Sequence, residues 1–193
     1  MRNKRKGLLI VFSGPSGCGK TTVLKEYMRD RDDCVFSVSA TTRAPRPGEV
    51  EGVNYFYVTR AKFERMIKKG QLLEHTIYND NYYGTPLKPV LAAMKKGKDV
   101  VFDIEVDGAS QVKRQYPDAV LIFLKPPSLE ELRRRLEGRG TETPEAIEKR
   151  LARAEIELET ADKYDYVIVN DIVERAADEL RGIIESAHAK NAK

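Results

Sequence analysis

The run IVFSGPSGCGKTT, Ile10 to Thr22, constrains this chain more than any other feature. Apolar residues lead into a segment holding Gly14, Gly17 and Gly19. Lys20, Thr21 and Thr22 then open a stretch that sets Val23, Leu24 and Tyr27 at helical spacing. Glycine makes backbone costlier to order, so three of them between a strand and a helix need a compensating reason. Gly14, Gly19, Lys20 and Thr21 fit G-x-x-x-x-G-K-[ST] in the strand–loop–helix setting that the pattern requires. In that setting the main chain from Gly14 through Pro15, Ser16, Gly17, Cys18 and Gly19 wraps a phosphate, and the helix N-terminus adds partial positive charge. Lys20 supplies a full charge for the β- and γ-oxygens of a nucleoside triphosphate, and the Thr21 hydroxyl is a ligand for Mg²⁺. The plain alternative is a glycine-rich turn that matches by accident; pattern and context together argue against it.

Alternation of apolar runs with amphipathic stretches sets the fold class. LLIVF (8–12), DVVFDI (99–104), AVLIFL (119–124) and YVIVN (166–170) read as continuous apolar strands, the signature of a parallel sheet covered on both faces. Residues 128–138 open with Ser128 and Glu131 in capping-box spacing and place Leu129, Leu132 and Leu136 on one face. A helix over 144–162 starts at Pro144 and carries Ile147, Leu151, Ala154, Leu158 and Ala161, and a last helix runs from about 173 to 188. The class is α/β. A chain of 193 residues with 41% hydrophobic residues suits one large domain with a substantial core.

Other totals exclude classes more than they choose one. No apolar run is long enough to span a bilayer, and LLIVF is too short for a signal peptide behind the basic tail of residues 1–6. A net charge of +4, without a basic-aromatic stripe, gives nucleic-acid binding no support. Cys18 and Cys34 match no metal spacing and read as thiols in a reducing compartment, so the expected location is the cytoplasm.

One region breaks the alternation. From Ser39 to Pro86 the chain turns polar, with SATTRAPRPGEVEGVNYFYV at its start and room for one short helix near 60–69. NYFYV and QLLEHTIY alternate as half-exposed strands, so this is read as an insertion with its own small mixed sheet. A Gly- and Arg-containing turn at 137–145 is a second interruption.

Five segments, GPSGCGKT, SVSATTRAPRPGEVEGVNY, LLEHTIYNDNYYGTP, FDIEVDG and RRRLEGRGTE, together resemble the guanylate kinase family, in its order and over roughly residues 7–185. The resemblance implies a P-loop nucleoside monophosphate kinase fold and transfer of the ATP γ-phosphoryl group to GMP. The implied layout is a core of residues 7–38, 87–126 and 164–190, a GMP-binding insertion at 39–86 and a lid at 127–163. ATP with Mg²⁺ falls to residues 14–22. Arg43, Arg46, Tyr55 and Tyr83 become the clamp on the GMP phosphate, with Glu49 as a partner for the arginines. That clamp makes chemical sense, because a phosphate monoester carries close to two negative charges and calls for cationic forks and hydroxyl donors.

By the same resemblance Glu74 reads guanine, with Ser39 and Thr85 as hydroxyl donors near O6. A carboxylate matches the N1–H and amine of guanine and meets a lone pair on adenine. Asp103 sits where a carboxylate reaches the metal through water, and with Glu105 it joins the GMP-side set. The family often has Ser where Thr85 stands and Asp where Glu105 stands; Thr keeps the hydroxyl, whereas Glu lengthens the arm. Lys20, Arg135, Arg139 and Arg150 are the implied catalytic charges, the arginines closing over the ATP phosphates. Since the attacking group is already anionic, catalysis should rest on positioning and charge neutralisation.

Two alternatives stand beside this reading. One is another nucleoside monophosphate kinase. The other is a non-catalytic guanylate-kinase-like binding module, which generally lacks a complete phosphate loop and lid arginines, whereas this chain has both. The expected partners are ATP and GMP, with neither nucleic acid nor membrane among them; a homo-oligomer is compatible with the chain.

Overall fold

The computed structural model describes residues 6–138 and 143–191. The expected basic tail, save Lys6, and Arg139 in the 137–145 turn lie outside the described residues. In chain order the elements are β1 (Leu9–Ser13), α1 (Lys20–Tyr27), β2 (Cys34–Phe36), β3 (Ala40–Thr41), β4 (Phe56–Tyr57), α2 (Arg60–Lys68), β5 (Leu72–Tyr78) and β6 (Asn81–Pro86). There follow α3 (Leu87–Lys95), β7 (Asp99–Asp103), α4 (Val106–Gln115), β8 (Val120–Lys125), α5 (Leu129–Glu137), α6 (Pro144–Leu158), a 3₁₀ turn (Ala161–Lys163), β9 (Tyr166–Val169) and α7 (Val173–Asn191).

The larger sheet has the order β2-β7-β1-β8-β9, and its β2–β7, β1–β8 and β8–β9 pairs are parallel. All four apolar runs of the sequence are strands of it. β1 is buried along its whole length, as a strand covered on both faces must be. The class is α/β, as the alternation implied.

Two compact units divide the chain. The first comprises Met1–Leu9, Asp32–Phe102 and Asp107–Ala119, and the second Ile10–Arg31, Asp103–Val106 and Val120–Lys193. In the second unit α1 packs against α7, and α5 against α6. Leu132 and Leu136 of α5 are buried with Ile147, Leu151 and Ala154 of α6, the stripes that the helical spacing exposed. Ser128 caps α5 by accepting from the Glu131 N–H, and Thr143 caps α6 with Pro144 at its first position. α6 stops at Leu158, short of the expected 162, and the chain tightens into the 3₁₀ turn.

The first unit holds a four-stranded mixed sheet, β4-β3-β6-β5. β3 runs parallel to β4 and antiparallel to β6, and β5 runs antiparallel to β6. Ala40, Phe63 and Leu72 form its small core, and the Phe63 and Tyr82 rings stack at 5.1 Å. NYYGTP, not read as a strand, is β6: Asn79 and Asp80 both take left-handed φ values, 45° and 60°, and close a two-residue hairpin between Tyr78 and Asn81. β5 is not an alternating strand. Leu72, Leu73 and Glu74 are all buried while Ile77 and Tyr78 are exposed, because a bulge between Leu72 and His75 breaks the period of two. Among the described residues no helix is long and apolar enough to cross a membrane.

Candidate active site

The loop between β1 and α1 belongs wholly to the second unit. Gly14, Gly17 and Gly19 have φ of 148°, 95° and 96°, values that side-chain-bearing residues rarely adopt. Their surroundings exclude a side chain as well. A Cβ on Gly14 would overlap the Leu124 carbonyl oxygen, and one on Gly17 would lie 2.8 Å from a Leu136 methyl. One on Gly19 would overlap the Asn170 carboxamide. Glycine is therefore needed twice over, for backbone torsion and for close packing. Gly19 is the N-cap of α1 and gives the helix no side-chain cap, nor is any acidic residue in the first turn. That helix end keeps its positive field for an anion.

Lys20 bends back over the loop. Its ammonium donates to the Gly14 carbonyl at 2.7 Å and to that of Pro15 at 3.4 Å, and lies 3.8 Å from an Asp103 carboxylate oxygen. Burial pushes the Asp103 carboxyl above its usual range, partly offset by the Lys20 charge. Thr21 and Thr22 are exposed at the helix start, as is Ser16, whereas Pro15 and Cys18 are buried. Burial raises the Cys18 thiol, with nearby Lys20 opposing, so this loop cysteine is held as a neutral thiol.

Two residues tie the loop through the Cys18 carbonyl. Arg135 of α5 donates to the Cys18 carbonyl at 3.2 Å and to the Asn170 carbonyl at 2.8 Å, while Glu131 takes its Nε at 2.8 Å. The Asn170 amide donates to the same Cys18 carbonyl at 2.7 Å. The resemblance implies Arg135 over the ATP phosphates; its guanidinium here bonds to two main-chain carbonyls beside the loop. Asn170 was missed, although it ends the apolar run YVIVN. Arg150 lies half-buried on α6. Glu105, expected on the GMP side, pairs with Arg153 of α6 at 2.9 Å.

In the first unit a second group of residues converges. Arg43 grips Glu49 with both terminal nitrogens, at 2.9 and 3.0 Å. The Arg46 backbone N–H and the Tyr57 hydroxyl donate to the same Glu49 oxygen at 2.7 and 2.8 Å. The Arg43 hydrogen bonds, followed by the Arg46 amide, hold Glu49 at about 2, well below the usual carboxylate range. Glu49 in turn raises Arg43, with Tyr83 adding a further hydrogen bond. The Arg43 guanidinium lies 5.4 Å from the Tyr55 ring centroid, and the Tyr55 ring is 5.9 Å from Tyr83 and 6.0 Å from Tyr57. So Arg43, Glu49, Tyr55 and Tyr83 meet, while the Arg46 side chain is exposed. Tyr57 was missed; its spacing of two from Tyr55 was the available signal.

Glu74 and Thr85 face each other across β5 and β6. Glu74 is 4% exposed and Thr85 fully buried, and the Thr85 hydroxyl donates to the Glu74 carboxylate at 2.7 Å. Burial raises the Glu74 carboxyl above its ordinary value, against the lowering effect of the Thr85 hydroxyl and amide. A buried carboxylate with one modest partner retains acceptor capacity for further donors. Ser39 lies half-buried one residue before β3.

The family model for guanylate kinase matches residues 6–187. A guanylate kinase from Oceanobacillus iheyensis is 52% identical over 187 residues, 97% of this chain and 91% of the relative. One from Streptococcus agalactiae is 54% identical over 184 residues, 95% of this chain and 88% of the relative. A crystal structure of guanylate kinase from Anaplasma phagocytophilum aligns with a TM-score of 0.75 at 35% identity, covering 96% of this chain and 88% of that one.

Proposed function

The chain belongs to the guanylate kinase family, and from that premise we propose how its own residues transfer the γ-phosphoryl group of ATP to GMP. The observation that carries the choice of acceptor is the buried Glu74–Thr85 pair, because a carboxylate kept acceptor-rich in the interior is matched by the two adjacent donors of guanine.

On the donor side, the Gly14–Gly19 amides and the α1 N-terminus receive the β- and γ-phosphates, with Lys20 shifting from loop carbonyls to phosphate oxygens. The Thr21 hydroxyl and the Asp103 carboxylate are the residues to hold Mg²⁺. Among the described residues no group of three or more His, Cys, Asp or Glu forms a metal cage. That fits an ion held mainly by phosphates and water, with one or two protein oxygens. When bound, Mg²⁺ neutralises charge on the phosphates.

On the acceptor side, Arg43, Arg46, Tyr55 and Tyr83 grip the GMP phosphate, with Tyr57 and Glu49 holding Arg43 in place. Glu74, Thr85 and Ser39 read the base, and Asp103 and Glu105 complete the proposed acceptor-side set. An acceptor phosphate oxygen attacks the γ-phosphorus as the bond to the β–γ bridging oxygen breaks, leaving ADP and GDP. No general base is needed for an oxygen that is already anionic. Arg135, Arg139 and Arg150 neutralise charge on the moving group, and Arg135 also holds the loop through the Cys18 carbonyl.

We assign residues 39–86 as the GMP-binding region and 127–163 as the lid over a core of 7–38, 87–126 and 164–190. The cytoplasm is the proposed location, the buried thiols of Cys18 and Cys34 supporting a reducing compartment. ATP and GMP are the proposed partners, with no role for nucleic acid. The test is ADP formation from ATP and Mg²⁺ with GMP, AMP, CMP and UMP as acceptors. GMP should dominate and chelation of Mg²⁺ should abolish turnover; equal rates with AMP would overturn the assignment of Glu74.

A further inference from the structure

β5 is the edge strand of the four-stranded sheet, so among the described residues the outward main-chain groups around Glu74 have no neighbouring strand to pair with. The bulge between Leu72 and His75 loosens the inner side at the same place. A base-reading carboxylate on such a strand would wander unless something else held the backbone.

Two glutamines of α4 do so. The Gln111 carboxamide oxygen accepts from the His75 N–H at 3.2 Å, and its nitrogen donates to the His75 carbonyl at 2.9 Å. A glutamine amide thereby imitates the peptide group of a missing strand. One turn further along α4, on the same face, the Gln115 nitrogen donates to the Leu73 carbonyl at 3.1 Å. Glu74 lies between the two anchored residues. On the other side a Cβ at Gly84 would come 2.7 Å from the Glu74 carbonyl oxygen, so β6 approaches as closely as glycine allows. The backbone of Glu74 is held from both edges, and its carboxylate by Thr85.

We propose that Gln111 and Gln115 are positioning residues for Glu74, making α4 a splint that sets acceptor-base selectivity. This rests on the reading of Glu74 as the residue that recognises guanine. Placement within about half an ångström decides whether a carboxylate meets two donors together, so loosening β5 costs selectivity before it costs the fold.

The experiment compares Gln111→Met, Gln115→Met and the double variant with the parent, measuring kcat and KM for GMP, IMP and ATP. IMP lacks the exocyclic amine of guanine. Gln111→Met should raise KM for GMP about tenfold, from the loss of a two-point pairing, with a smaller rise for IMP and KM for ATP within about twofold. In a Glu74→Gln background, Gln111→Met should change the GMP-to-IMP ratio no further, which general loosening of the fold would not reproduce. Equal losses for GMP, IMP and ATP, or additive losses in the Glu74→Gln background, would overturn the proposal. Gln115→Met changes an exposed position and keeps the test informative should Gln111→Met fold poorly. If Glu74→Gln alone leaves the preference for GMP over AMP unchanged, the reading of Glu74 fails. If it abolishes that preference while the glutamine variants keep it, only the splint fails.

Discussion

Glu74→Gln should lower activity and raise stability together. In the parent protein the carboxylate is buried, and burial is the largest influence on it, lifting its proton affinity above the ordinary value of 4.5. A carboxyl whose folded-state value is raised binds its proton more tightly when folded. The folded state is therefore favoured at low pH and loses stability as pH climbs from 4.5 toward the raised value. The parent carries that penalty wherever the carboxylate is ionised. Glutamine has the same shape without the charge and can still accept from the Thr85 hydroxyl. A gain of about 1 kcal/mol is expected, or about 2–4 °C in Tm for a chain of this size. The gain should vanish near pH 4. Activity moves the other way, because the glutamine NH₂ would face guanine donors. Losing two charge-assisted hydrogen bonds and leaving donors unpaired costs about 3–5 kcal/mol, a fall of roughly 10²–10⁴ in kcat/KM for GMP. Thermal melts across pH 4–8 and kinetics with GMP and AMP read both effects. A variant that melts lower than its parent at pH 7, or that keeps the GMP-to-AMP ratio, would refute the reasoning.

Further expectations follow from individual contacts. Gly14→Ala should cost at least about 2 kcal/mol, since a methyl there meets the Leu124 backbone and φ is 148°. Gly48→Ala, with φ 82° but open space around it, should cost only about 1 kcal/mol; urea denaturation of both checks the contrast. Arg43→Lys loses the two-nitrogen grip on Glu49 and should raise KM for GMP by about tenfold to a hundredfold with KM for ATP unchanged, as steady-state kinetics will show. Arg139→Ala should lower kcat by about 10³ or more while GMP binding by calorimetry stays within a few-fold. Cys18, buried and with its thiol pushed up, should react with a thiol reagent at pH 7 only as fast as the protein unfolds.

The sequence made some parts legible because their signals are local. The phosphate loop is a contiguous pattern whose glycines answer a main-chain demand, and Leu132, Leu136, Ile147 and Leu151 follow a period that any buried helix face must show. β6 escaped notice because Tyr82, Tyr83 and Gly84 show no clear alternation. The strand is fixed by the Asn79–Asp80 turn and by pairing with residues some forty positions earlier. α4 was hidden by Gly108 and by a polar face whose glutamines serve another segment. The two interactions of Arg135 with main-chain carbonyls had no pattern to betray them. A carbonyl has no side-chain identity, so a residue that acts by holding backbone leaves no partner in the sequence to match. Glu49 and Arg43 belong to an intermediate class: their types suggested charge chemistry, but only the fold shows Arg43, the Arg46 amide and Tyr57 sharing one carboxylate.

That shared carboxylate bears on how the acceptor phosphate is received. An unpartnered arginine in a polar loop samples many rotamers, and ordering it on binding costs about 0.5–1.5 kcal/mol. Glu49 orders Arg43 in advance through both terminal nitrogens, and Tyr57 and the Arg46 amide fix Glu49 itself. The arrangement neutralises much of the Arg43 charge, which alone would weaken the grip on a phosphate. Yet Glu49 stays ionised down to about pH 2, so it stays a fixed anion across the working range while Arg43 keeps its remaining N–H donors. Preorganisation and attraction are here opposed. Removing Glu49 as Glu49→Gln should therefore strengthen the raw electrostatic pull and still weaken GMP binding if ordering dominates. At high ionic strength, where bare charge is screened, the parent should lose less affinity than this variant. Titration of GMP at low and high salt separates the two contributions, and tighter GMP binding by the variant at both salts would mean that Glu49 acts only as a competitor for Arg43.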